Sequence, residues 1–165
     1  MKKNYNPPPQ IFDAAFLLVV AAEGGEKVTD DPRDPGGLTK WGICQRSYPD
    51  LDIRALTESD AREIYRRDYW DACKCDELPW PLSLYVFDAA INQGVSAAAR
   101  MLQEAADVTV DGKIGPKTLA AAKSHPEWRA VRFMALRAMR YSQTKNFDRF
   151  GMGWLTRIFA LAQEV

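Results

Sequence analysis

The chain has 165 residues, enough for one compact domain, or one domain with a small appendage. Hydrophobic residues make up 47% and charged residues 27%, ordinary for a soluble globular protein. The 22 basic and 22 acidic residues cancel, and the pI is about 6.6. No global electrostatic pull toward nucleic acid or a membrane follows.

Lys2 and Lys3, followed by the apolar stretch Ala14 to Ala22, mimic a signal peptide. Pro7-Pro8-Pro9 and Asp13 interrupt that approach, and the apolar run falls short of the roughly 20 residues that span a bilayer. The segment therefore reads as a core helix over residues 10–23, without stable membrane insertion. An exported or tethered form is the minority alternative. From Ile11 to Ala22 only Asp13 breaks the apolar character, so the helix is expected to be buried all round. Gly24 and Gly25 then stop it, because glycine accepts the left-handed conformation that ends a helix. Glu23 is thus expected at the carbonyl end of a buried helix. Apolar surroundings and the negative end of the helix dipole both raise a carboxyl pKa there. A carboxylic acid still protonated near neutral pH is what a general acid needs. A solvated helix-end glutamate is the plain alternative.

Residues 24–42 turn to Gly, Pro, Asp and Thr, the composition of a loop or short hairpin. Asp34-Pro35-Gly36-Gly37 reads as a tight turn. Thr57 is an N-cap with Asp60 three residues on. Its helix should run through Tyr69 or Trp70, with Ala61, Ile64, Tyr65 and Tyr69 on one face, until 76–81 breaks it. Leu82 to Gln93 reads as a third helix ended by Gly94, and Ser96 as the cap of a fourth, Ala97 to Ala106.

Residues 107–115 form a turn-rich link in which Val108-Thr109-Val110 could pair as a strand. Pro116 opens a helix through Lys123. Pro126 opens another to about Gln143, read as central because Trp128, Val131, Phe133, Met134, Leu136 and Met139 cover most of its circumference. On it Arg129, Arg137 and Arg140 share a face read as a solvated or ion-paired edge, with Arg132 about 60° off. A last helix spans Phe147 to Gln163. The sum is six or seven helices with little strand.

Cys44, Cys73 and Cys75 are an odd count that makes no disulfide framework, and reduced, cytosolic synthesis is the simpler reading. The only histidine is His125, and the spacing fits no zinc pattern, so neither metal nor cofactor is expected. Asp30 to Thr39 superficially resembles a calcium loop, but Pro35 occupies the glycine position and no terminal Glu follows. A Cys–His peptidase would lack a recognisable nucleophile motif, and no phosphate-binding glycine loop is present. Glu23, Asp34 and Thr39 instead suit glycosidic cleavage. Glu23 would protonate the leaving oxygen, Asp34 stabilise positive charge or help activate water, and Thr39 position that water.

Glu23-Gly24-Gly25 with Asp31-Pro32-Arg33-Asp34-Pro35-Gly36-Gly37-Leu38-Thr39-Lys40-Trp41-Gly42-Ile43 resembles the signature of glycoside hydrolase family 108. These are muramidases of phage endolysins and bacterial secretion-activator proteins. Tyr65-Arg66-Arg67-Asp68-Tyr69-Trp70, Asp76-Glu77-Leu78-Pro79 and Phe87-Asp88-Ala89-Ala90-Ile91-Asn92-Gln93-Gly94 continue the match in order. From about Ala98 the chain resembles the predicted peptidoglycan-binding module that accompanies the family, best at Val110-Asp111-Gly112-Lys113-Ile114-Gly115-Pro116-Lys117-Thr118-Leu119.

The resemblance implies a mainly α, lysozyme-like helical fold with a small turn or hairpin region after the first helix. It implies a catalytic part over 1–97 and a helical module over 98–165 packed on it as one unit. It implies hydrolysis of the β-1,4 bond between N-acetylmuramic acid and N-acetylglucosamine, with Glu23 as the matched catalytic acid. Tyr69, Trp70, Asp88, Asn92 and Gln93 are candidates for lining a glycan groove, since aromatic faces and amides suit sugars. For Tyr69 and Trp70 the alternative is helix packing, and for Asp111 to Gly115 it is a structural turn. The expected partner is the peptidoglycan glycan strand, met by a monomer made in the cytoplasm and released to the wall by a holin-type route. A lytic transglycosylase using the same Glu, or a non-enzymatic wall-binding or secretion-assisting protein, are the rival readings.

Overall fold

The computed structural model describes residues 10–22, 25–30 and 37–165. The first helix, α1, spans Ile11–Ala22. A two-stranded antiparallel hairpin follows, β1 Thr39–Lys40 with β2 Ile43–Cys44, Thr39 opposite Cys44. Helix α2 is Glu58–Tyr65, widening into a π-helical turn at Arg66–Asp71, and a 3-10 turn covers Cys75–Glu77. Then come α3 Leu82–Gln93, α4 Val95–Ala105, α5 Pro116–Ser124, α6 Pro126–Ser142 and α7 Phe147–Gln163. The protein is mainly α, as its sequence pattern requires. Among the described residues no helix is long and apolar enough to cross a membrane.

Helix α1 is buried along one face rather than all round. Ala15, Phe16, Val19 and Val20 are in the core, while Leu17 is 57% exposed. Apolar composition did not distinguish the two faces; tertiary packing chose one. Asp13 is tied to Arg62 of α2 at 2.6 Å, and the Arg62 guanidinium also lies over the Phe16 ring at 4.4 Å. The α2 N-terminus closes with the expected capping box. Asp60 N donates to Thr57 Oγ1, and Thr57 N donates to Asp60 Oδ2 at 2.8 Å.

The α-helical geometry of α2 stops at Tyr65, short of the expected Tyr69 or Trp70. At 100° per residue Tyr65 and Trp70 would point roughly 140° apart. The i→i+5 turn lets both face Phe87, at ring separations of 6.2 Å and 5.3 Å. Phe12 and Phe16 of α1 complete this edge-to-face aromatic core.

Helix α3 is the axis of the molecule. Every residue from Leu82 to Ala90 is buried, against α1, the π turn, α4 and α6. Helix α6 packs on α3, α4, α5 and α7, but its apolar ring is not uniformly internal. Phe133 is buried, whereas Trp128 and Val131 are 61% exposed and Met139 57%. Helix α4 starts at Val95, with Gly94 at φ +89° as the N-cap residue, so Ser96 lies inside it and does not cap it. Val108 to Val110 form no strand; Arg100 Nη1 donates to Val110 O at 3.3 Å.

The arginine face of α6 departs furthest from expectation. Arg137 is fully buried and pairs with Asp88 of α3, itself 1% exposed, and Arg157 of α7 binds the same carboxylate at 2.6 Å. Burial works to raise the Asp88 pKa, but the guanidiniums of Arg137 and Arg157 outweigh it and hold the carboxyl below its ordinary value. Arg129 and Arg132 instead pair with Asp107 at the surface.

Candidate active site

Residues 25–30 are bonded through their backbone to both α1 and the hairpin. Gly25 adopts φ +63° and donates from its N to Val20 O at 3.0 Å, a bond of the kind that closes helix C-termini. Its carbonyl accepts from Trp41 N at 3.1 Å, and Thr29 and Thr39 exchange backbone hydrogen bonds of 2.9 and 2.8 Å. The hairpin turn is Trp41-Gly42, with φ of +55° and +74°, the positive-φ pair of a type I′ turn. Tryptophan is unusual there. It is held by its backbone bond to Gly25 and by Tyr65 Oη, which donates to Trp41 O at 3.0 Å.

The hairpin forms one wall of a cleft of about 300 Å³, lined by Gly42, Ile43, Cys44, Ser47, Tyr48, Tyr65, Tyr69, Ile91 and Asn92. The π turn supplies Tyr69, and the end of α3 supplies Ile91 and Asn92. Ser47 and Tyr48 also line a second hollow of about 460 Å³ that runs over Leu51, Leu56, Ile64 and Arg67. Ser47 and Tyr48 thus contribute to the walls of both. Tyr48 Oη donates to Asp68 Oδ2 at 2.7 Å. Burial, and then that bond to Asp68, push its phenol pKa well up, so it stays a neutral donor. The Arg67 hydrogen bonds hold the Asp68 carboxyl below its usual value.

Residues 16–94 match the profile of the family described as Glycosyl hydrolase 108, and residues 97–159 match one described as Predicted Peptidoglycan domain. The solved structure of Brucella abortus SagA is 33% identical to this chain with a TM-score of 0.82, over 93% of this chain and 92% of that one. The chain belongs to glycosyl hydrolase family 108. No curated protein matches it. The fold is the lysozyme-like helical one, and the two matched units support a glycosidase that acts on peptidoglycan.

Of the residues singled out in the family's pattern, Glu23 and Asp34 lie outside the described residues. Thr39 sits half-buried on β1, and its hydroxyl donates to Gly37 O at 3.2 Å. Tyr69 and Asn92 line the cleft. Trp70 does not: it is fully buried in the aromatic core, and its Nε1 donates to Asp76 Oδ1 at 2.8 Å. Asp88 does not either, since its carboxylate faces Arg137 and Arg157. Gln93 is half-buried beside the cleft, not among its lining residues, with a buried and unpartnered Oε1. Tyr48, Tyr65 and Ile91 are lining residues that sequence reasoning did not single out as groove residues. Tyr65 carries the helical periodicity of a core residue, and Tyr48 lies in a short mixed stretch without periodicity, so neither gave a signal.

Proposed function

We propose that this protein is an N-acetylmuramidase that hydrolyses the β-1,4 bond between N-acetylmuramic acid and N-acetylglucosamine, acting as an endolysin. Glu23 is the general acid, Asp34 the carboxylate that stabilises developing charge or helps activate water, and Thr39 the hydroxyl that positions that water. The observation that carries the reading is the tyrosine- and amide-lined groove beside the hairpin of Thr39, in a chain whose helix α1 ends one residue before Glu23 in sequence. Flat aromatic faces and an amide suit a sugar ring and its polar substituents. The protein works as a monomer, is made in the cytoplasm, and reaches the wall after holin-type release. Residues 1–97 carry the catalysis, and residues 98–165 stay packed on them as one unit.

The test is digestion of purified peptidoglycan with mass spectrometry of the fragments. Hydrolysis gives reducing N-acetylmuramic acid ends. If 1,6-anhydro ends appear instead, the protein is a lytic transglycosylase. Glu23→Gln is expected to lower release of soluble fragments by about 10²–10⁴-fold. Clearance of a sacculus suspension by that variant at the wild-type rate would overturn the assignment of the acid.

A further inference from the structure

Asn92 has a role that follows from the glycosidase reading above. Asn92 is at the exposed C-terminal end of α3, on the cleft wall. Its amide is not free to rotate. Nδ2 donates to Asp88 O at 2.9 Å and approaches Asp88 Oδ1 at 3.4 Å. Turning the amide over would set its oxygen against two oxygens, so the nitrogen end is fixed inward. Asp88 cannot yield, because Arg137 and Arg157 grip its carboxylate from α6 and α7. A planar amide whose nitrogen faces its own helix presents its oxygen the other way. The half-buried side chains of Tyr48 and Tyr69 line the same cleft. Its volume of about 300 Å³ is at the small end of ligand pockets and suits one sugar unit.

We infer that Asn92 Oδ1 is a fixed acceptor for the acetamido N–H of a 2-acetamido sugar whose ring lies against the cleft tyrosines. Asn92 then selects N-acetylated glycans, and the arginines of the second half hold it in place through Asp88. No bond is made or broken by Asn92, which contributes to binding and orientation.

The probes are tri-N-acetylchitotriose, labelled with ¹⁵N at the acetamido groups, and unlabelled cellotriose, which has no acetamido group. In titrations followed by NMR, at least one acetamido N–H of chitotriose is expected to move downfield on binding the wild type. Asn92→Ala, at an exposed position, should leave the melting temperature nearly unchanged. It should abolish that shift and weaken chitotriose about tenfold, the loss of one good hydrogen bond. Cellotriose should bind both proteins alike. The inference is overturned if the wild type clears sacculi while no N–H moves, or if Asn92→Ala binds chitotriose within twofold of wild type. An Asn92-dependent shift in a protein that releases nothing from sacculi would sink the glycosidase reading and leave the acetamido site standing.

Discussion

The cleft and the hollow beside the loop at 107–118, of about 300 and 630 Å³, direct their polar atoms to different ends. In the second, Gln103 is buried and both ends of its amide are used internally. Gln103 Nε2 donates to Asp111 Oδ1 and Lys113 O, and Gly112 N donates to Gln103 Oε1 at 2.7 Å. Asp111 Oδ1 also accepts from Lys113 N. Asp111 to Lys113 thus form a turn shaped by hydrogen bonds to Gln103 and within itself. In the cleft, Asn92 commits only its nitrogen. An internally saturated hollow keeps its own shape, whereas one with uncommitted polar groups can receive a ligand at little cost in broken bonds.

The largest effect should come from cutting the charged link that ties the cleft wall to the second half. Asp88→Ala leaves two arginines facing one another without their carboxylate, Arg137 fully buried, and should lower unfolding stability by about 3–5 kcal/mol in urea titrations. The same link gives a pH signature. Because the folded pKa of Asp88 lies below its unfolded value of about 3.9, its contribution is complete above that pH and is lost as pH falls through the folded value. The wild type should therefore lose stability in acid more steeply than an Asp88→Asn variant. Equal slopes would show that Asp88 is not the group responsible.

Gln103→Ala should cost about 1–3 kcal/mol, because it removes the acceptor of Gly112 N and the donor to Lys113 O. Turnover per folded molecule should stay at the wild-type level. A large drop in turnover at unchanged stability would make the loop a ligand site after all. Gly42→Ala should cost about 1–2 kcal/mol, since a side chain at φ +74° is strained. Here, in contrast, sacculus turnover should fall with stability because Gly42 lines the cleft. Tyr48→Phe should be the mildest, at about 0.5–1.5 kcal/mol, by removing the bond to Asp68. An unchanged melting curve would mean that this bond is exchanged for water without loss.

Helix positions were largely legible because they depend on local chemistry. Thr57 and Asp60 cap α2, Pro116 and Pro126 open α5 and α6, and Gly94 closes α3, all signals read within a few residues. The candidate site was legible in part. Tyr69 and Asn92 reach the cleft, while Trp70 and Asp88, equally plausible by residue type, are in the core. Residue type does not say which way a side chain points when a π turn shifts the helical phase after Tyr65.

By itself the amino-acid order determined the mainly helical class, the caps and breaks, and the family, since periodicity, turn chemistry and motif spacing are written along the chain. Only tertiary structure decided which face of α1 is buried, that Arg137 is internal, and which tyrosines and amides share a cleft. Those outcomes depend on partners far away in the chain: Asp88 and Arg157 are 69 residues apart, and no local pattern records which distant charge will neutralise a buried one.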